Sequence, residues 1–246
     1  MNGAVSAHPV VLSIGGSDCS GGAGIQADLR VFEALQVRGC SATTALTAQH
    51  PEAVLRIEPV SLAQLDAEIH AVFDYYDVAV VKTGMLVDAE HIALVSALLS
   101  QLHHGTLVVD PVVISSSGAA LLDQGAIGTL TKALLPLATL VTPNLDEADM
   151  LFGLRGAIAD AALIDAVDRI DCAMLLKGGH GDGPLLIDRL CERGGELHEF
   201  SHPRQQWDIE QRHGTGCRLA SAISANLAHA MPLPLAAQHA IEFLQG

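Results

Sequence analysis

The sequence predicts a single α/β domain over residues 1–246, a three-layer sandwich with a mostly parallel central sheet and helices on both faces. Three observations carry this expectation. Short apolar runs alternate with amphipathic stretches along the chain, and polar or glycine-rich residues follow each apolar run. Half of the 246 residues are apolar, only 17% are charged and the mean hydropathy is +0.36, so the chain has a core to bury and does not have the composition of a disordered protein.

The elements follow in order. Residues 10–14 are a short apolar run ending in glycines, and residues 25–35 place Ile25, Leu29, Phe32 and Leu35 near helical spacing, so strand, loop and helix open the chain. The alternation recurs as a strand over 43–48 with a helix over 61–73, a strand over 78–82 with a helix over 88–102, and a strand over 106–110 with a helix around 124–134. A strand over 139–142, helical stretches within 145–170 and a strand over 173–177 continue it. Residues 184–188 and 196–200, separated by Glu192-Arg193-Gly194-Gly195, read as a hairpin at one edge. Helices over 215–230 and 235–244 finish the chain, with Pro232 and Pro234 between them.

Composition narrows the function classes. A formal net charge of −15 repels phosphodiester backbones and anionic lipid, and 3% aromatic residues make no base-stacking platform, so nucleic acid and membrane are excluded as partners. No apolar stretch reaches the roughly 18 to 20 residues that span a bilayer; the best, residues 133–141, is interrupted by Pro136 and Thr139. The N-terminus lacks the basic region of a secretory leader. Five scattered cysteines without a CxxC pair suit a reducing cytoplasm, and the dispersed histidines do not suggest a transition-metal site.

In parallel α/β sheets the chemistry lies beyond the carboxyl ends of the strands. The loop after the first strand, Gly15 to Gly24, is glycine-rich, which allows close backbone approach to a ligand but equally suits a structural turn; it matches neither a Walker A loop nor a dinucleotide fingerprint. His213-Gly214-Thr215-Gly216-Cys217-Arg218 precedes an apolar helix, so Gly214, Thr215 and Gly216 offer backbone N–H groups as an anion hole. Cys217 falls in the first helical turn, where the helix field is expected to lower its pKa and make it a base or nucleophile; a small buried apolar residue is the plainer alternative. Asn144 and Glu147 are spaced to serve one Mg²⁺ or, equally, to form a capping box. Asp110 and Lys177 each follow a strand, as metal or phosphate ligands or as ordinary rim residues. Together these are the parts that phosphoryl transfer requires.

The segments GGSDCSGGAGIQADL, TAQ, KTGM, DPVV with SGAALL, VTPNLDEA, KGGH and HGTGC, in that order, resemble the hydroxymethylpyrimidine and phosphomethylpyrimidine kinases of thiamine biosynthesis. These belong to the ribokinase-like superfamily, with pyridoxal kinases as near relatives. The likeness runs from about residue 11 to 228, and the HGTGC and GSDxSGGAGIQAD segments are specific to this branch. It implies a ribokinase-like fold and ATP-dependent phosphorylation of 4-amino-5-hydroxymethyl-2-methylpyrimidine, then of its monophosphate. It implies that Gln49 pairs with the aminopyrimidine ring and that Gly16, Ala23, Met85 and Val112 line the pocket. Cys217 would be the candidate base; Gly214, Thr215 and Gly216 the anion hole; Lys177 the contact to ATP phosphate; and Asp110, Asn144 and Glu147 the residues that arrange Mg²⁺ and its waters. A cytoplasmic homodimer is also implied.

The chain departs from that family pattern in four places. Ser116-Ser117-Gly118-Ala119 stands where a lysine and an aspartate are usual, the segment after Gln49 is shortened, Arg218 replaces a threonine, and the chain stops at Gly246 before the usual tail. These departures bear most on the second phosphorylation. A pyridoxal kinase-like enzyme and a catalytically silent pyrimidine-binding protein are the alternative readings.

Overall fold

The computed structural model describes residues 8–114, 121–122, 124–156, 158–178 and 183–246. The first apolar run becomes β1 (Val10–Asp18), which pairs in parallel with β2 (Arg38–His50) on one side and β4 (Val78–Thr83) on the other. The parallel sheet continues through β5 (Thr106–Val109), β6 (Leu140–Val141) and β7 (Ala173–Leu176). One edge is closed by the antiparallel strand β3 (Ala53–Pro59), the other by the hairpin of β8 (Leu185–Cys191) and β9 (Leu197–Pro203). The spatial order is β3-β2-β1-β4-β5-β6-β7-β8-β9.

Strand alternation divides the core into two layers. Val11, Val80, Val108, Leu140 and Leu175 face α1 (Gly24–Ala34), α8 (Thr215–Ala228) and α9 (Leu233–Gln245), which supply Phe32, Ile223 and Ile241. Leu12, Ile14, Val81 and Val109 face the opposite layer of α2 (Leu62–Phe73), α3 (Ala89–Leu102), α4 (Gln124–Thr129), α5 (Leu145–Phe152) and α6 (Asp160–Ile170). Both faces of the central strands are therefore covered, as the sequence predicts. Among the described residues, no helix is long and apolar enough to cross a membrane.

Three details differ from expectation. The first strand runs on through Gly15 and Gly16 to Asp18, so those glycines lie in a strand rather than a loop. After Gln49 the chain makes a short turn at residues 51–52 and then enters β3, a strand that was not expected; its pattern is hard to read because its residues are largely exposed, Leu55 at 71%. The helix expected around 124–134 is shorter: after α4 the chain makes a π turn over Leu130–Leu134 and a 3₁₀ turn over Leu135–Leu137, where Pro136 removes a donor.

One polar cluster interrupts the apolar layer under α1 and α8. Lys82 Nζ lies 3.0 and 2.8 Å from the two carboxylate oxygens of Asp28, and both side chains are 1% exposed. Ser13 Oγ donates to the same carboxylate at 2.6 Å and Ser221 Oγ at 2.7 Å. Burial alone would pull the Lys82 ammonium down; the Asp28 carboxylate outweighs it and holds the lysine above its ordinary pKa. Breaking such a pair leaves an uncompensated buried charge, so Lys82→Met should cost about 3–5 kcal/mol in urea denaturation. A loss below about 1 kcal/mol would contradict this account of the cluster.

Candidate active site

The glycine-rich loop is organised by the carboxylate at its start. Asp18 is 1% exposed and accepts hydrogen bonds from the backbone N–H of Ser20 and Ala23, both at 2.8 Å, and from Ser20 Oγ. His213 Nε2 lies 2.9 Å from its second oxygen, which joins this loop to the segment ahead of α8. The approach is close: a Cβ on Gly22 would collide with the His213 ring, and one on Gly214 with the Gly22 carbonyl. Gly214 also has φ +74°, a left-handed conformation that glycine adopts without cost, and it is the N-cap of α8.

Thr215, Gly216 and Cys217 form the first turn of α8, so their backbone N–H groups have no partner within the helix. The rim charges arrive at the same place. A Cβ on Gly216 would lie 3.2 Å from Lys177 Nζ and 4.0 Å from Asp110 Oδ2, so the absence of a side chain there lets both groups reach the helix start. Lys177, just past β7, lies 3.3 Å from Asp110 Oδ1 and 3.9 Å from Glu147 Oε2. Burial opposes the Lys177 charge, but the two carboxylates override it and raise its pKa. Burial raises the pKa of Glu147; Lys177 counteracts this and Asp110 adds to it.

Asn144 and Glu147 form the capping box of α5: Asn144 Oδ1 accepts from the Glu147 N–H at 2.8 Å, and Glu147 Oε2 from the Asn144 N–H at 2.9 Å. The structural reading of that spacing therefore holds, and Glu147 also faces Lys177. The expectation that the helix field lowers the pKa of Cys217 is not met. Burial pushes its thiol up to about 12, reinforced by Asp110 and Asp28, against the lowering effect of Lys82 and of the Gly24 N–H that reaches the sulfur. Burial of the sulfur is the largest of these causes and disfavours the thiolate.

Of the residues expected to line the pocket, Gly16, Met85, Ala23 and Gln49 lie about the end of β1. A Cβ on Gly16 would meet Met85 Cε at 2.6 Å, and the Met85 carbonyl accepts from Thr44 Oγ1 at 2.7 Å. Ala23 precedes α1 and touches the position of Gly214. Gln49, near the end of β2, is held through its backbone: Cys19 Sγ donates to its carbonyl at 3.3 Å and accepts from its N–H at 3.4 Å. Val112 is half-buried just after Asp110, and the next residue, Val113, donates its N–H to Glu147 Oε1 at 3.3 Å. Ser116 to Ala119 and Gly179-His180 of the KGGH segment lie outside the described residues. Asp18, Asp28, Lys82 and His213 carry no local sequence signal of a site role. Asp18 and His213 stand within the two glycine segments, but their pairing spans almost the whole chain. Among the described residues, His198, Glu192 and Glu196 bring donor atoms within 4.8 Å of one another, at the β8–β9 hairpin rather than here.

A parallel sheet with an anion-ready helix start, buried carboxylates and a lysine at its carboxyl rim defines the class as an α/β small-molecule kinase. Comparison with known proteins makes the assignment specific: residues 18–246 match the phosphomethylpyrimidine kinase family model, and the chain belongs to that family. It is 38% identical over 241 residues to a hydroxymethylpyrimidine/phosphomethylpyrimidine kinase of Haemophilus influenzae, covering 95% of this chain and 88% of that one. It is 42% identical to the Rhizobium meliloti enzyme of the same name, covering 91% and 84%. Among solved structures, a phosphomethylpyrimidine kinase from Clostridium difficile 630 superposes with a TM-score of 0.82 at 34% identity, covering 96% of this chain and 98% of that one. The pyridoxal kinase of Staphylococcus aureus in complex with pyridoxal gives 0.85 at 29% identity, covering 97% and 87%.

The Asp18 contacts make a pH prediction. Burial opposes its charge, but the bonds from His213, Ala23 and Ser20 prevail and hold the carboxyl below its ordinary value of 3.8. Its ionised form is thus favoured in the folded state, so the stabilisation is present above pH 3.8 and lost as pH falls below it. The stability gap between wild type and Asp18→Asn, measured by denaturation at pH 6 and again near pH 3, should narrow on acidification; an unchanged gap contradicts it.

Proposed function

We propose that this chain transfers the γ-phosphoryl group of ATP to the hydroxymethyl oxygen of 4-amino-5-hydroxymethyl-2-methylpyrimidine, and then phosphorylates the monophosphate to the diphosphate. The observation that carries the reading is the convergence of Lys177, Asp110 and Cys217 on the glycine-lined start of α8. In this reading Gln49 pairs with the aminopyrimidine edge, while Gly16, Ala23, Met85 and Val112 hold the ring. The N–H groups of Gly214, Thr215, Gly216 and Cys217 receive the negative charge of the transferring phosphoryl group, and Lys177 meets the ATP phosphates.

The acceptor hydroxyl bonds to phosphorus as the bond from the γ-phosphorus to the ADP oxygen breaks, and the hydroxyl proton must leave. Because the Cys217 thiol lies near 12, a standing thiolate is scarce at neutral pH. Base catalysis by Cys217 therefore runs through its minor thiolate form, whose sulfur takes up the hydroxyl proton and becomes the thiol late in the transfer; a loose transition state tolerates so scarce a base. Asp110, Asn144 and Glu147 fit a hard divalent cation: they offer oxygen donors, and Glu147 is buried beside Asp110, with Lys177 close to both carboxylates. Those residues would hold Mg²⁺, which when bound neutralises phosphate charge. We further read the protein as a cytoplasmic homodimer acting through one kinase domain; exposed Leu46 and Leu55 on β2 and β3 support a buried interface.

Incubation with Mg-ATP and the pyrimidine should give ADP and phosphorylated pyrimidine by mass spectrometry, with monophosphate appearing before diphosphate. Consumption of pyridoxal without the pyrimidine would transfer the reading to a vitamin B6 kinase, and pyrimidine binding without turnover would make the protein a silent binder. Cys217→Ala should lower kcat by at least about tenfold, and an unchanged kcat removes the thiol from proton transfer.

A further inference from the structure

We propose that Asp188 is a positioning residue for the nucleotide side of the site, acting through the backbone of Gly178; this rests on the reading that Lys177 meets the phosphates of ATP. Lys177 closes the parallel sheet at the carboxyl end of β7, where its N–H donates to the Pro143 carbonyl at 2.9 Å and it forms a parallel bridge with Asn144. The next residue turns away across β8. There the N–H of Gly178 donates to Asp188 Oδ1 at 2.7 Å. A Cβ on Gly178 would collide with the Ile187 carbonyl, so the turn lies flush on β8 and only glycine fits. Strand β8 thus constrains this turn twice, by contact at Ile187 and by a carboxylate at the neighbouring position.

Asp188 is 5% exposed, and its second oxygen is also engaged: His202 Nε2 on β9 lies 3.3 Å from Oδ2. Gln245 Nε2 lies 3.1 Å from His202 Nδ1, and Gln205 Nε2 donates to Gln245 Oε1 at 2.7 Å. A continuous chain of polar contacts therefore runs from the end of α9, through β9 and β8, to the amide adjoining Lys177. A buried carboxylate is costly unless its lone pairs are used. Here they hold one specific backbone N–H, next to the cation of the phosphate subsite. Losing that anchor loosens the backbone just after Lys177, which then rests on its Pro143 and Asn144 contacts alone among those described, while Gln49, Met85 and Cys217 stand on other elements and keep their places. Asp188 is distinct from the catalytic groups because its contact to the site is made through Gly178.

The expected signature is selective. Asp188→Ala should raise KM for ATP and the Kd for ADP, by calorimetry, about tenfold, with KM for the pyrimidine unchanged and kcat within about threefold. Asp188→Asn, which keeps an acceptor for the Gly178 N–H, should recover most of that loss. His202→Ala, which removes only the outer support, should weaken ADP about threefold. Equal losses for both substrates, or unaltered ADP affinity, would overturn the inference. If Asp188→Ala does not fold, Asp188→Asn and His202→Ala decide it: near-native ADP binding in Asp188→Asn together with about threefold weaker binding in His202→Ala supports the role, and no change in His202→Ala refutes it. A wild-type protein that binds ADP but phosphorylates no pyrimidine would sink the functional reading while leaving this test intact.

Discussion

The Lys82–Asp28 pair lies between the sheet and helices α1 and α8, whose starts adjoin the site. Its carboxylate takes bonds from β1 through Ser13, from β4 through Lys82 and from α8 through Ser221, while itself belonging to α1. Ser221 stands one helical turn after Cys217, so both lie on the same face of α8. The pair therefore sets the depth and rotation of the helix whose first turn makes the anion hole. A purely apolar interface would hold these elements together without fixing their register so specifically, because hydrophobic contact is non-directional.

Charge organises the rest. A protein with a net charge of −15 repels ATP at long range, so it must reverse its own field locally. It does so with few cations, each held by carboxylates: Lys82 by Asp28, and Lys177 between Asp110 and Glu147. Backbone N–H groups at the start of α8 add positive character without a side chain. Asp18 and His213 bind the two glycine segments edge to edge, and glycine at 22 and 214 permits the approach. Small residues and buried pairs are thus parts of one arrangement.

Much of this was legible in the sequence, for local reasons. Strand–helix alternation follows from periodicity, the helix starts at Ser61 and Asp88 carry side-chain caps, and the Asn144–Glu147 spacing allowed the capping box that forms. What was not legible depends on distance or burial. Asp28 and Lys82 are 54 residues apart, and no local pattern pairs them. The position of Cys217 at a helix start is visible in sequence, whereas the desolvation that raises its pKa is a property of the packed neighbourhood. Strand β3 escaped because an edge strand with exposed residues lacks the alternation that a half-buried strand displays.

The central claim is that the start of α8, the β1 loop and Lys177 form one phosphoryl-transfer site. A crystal structure with ADP and the hydroxymethylpyrimidine bound tests it most directly. The account predicts the pyrimidine between Gln49 and Met85, its hydroxymethyl oxygen within hydrogen-bond reach of Cys217 Sγ, and the ADP phosphates beside Lys177 and the Gly214–Cys217 amides. A pyrimidine bound away from Cys217, or ADP phosphates remote from Lys177, would contradict it.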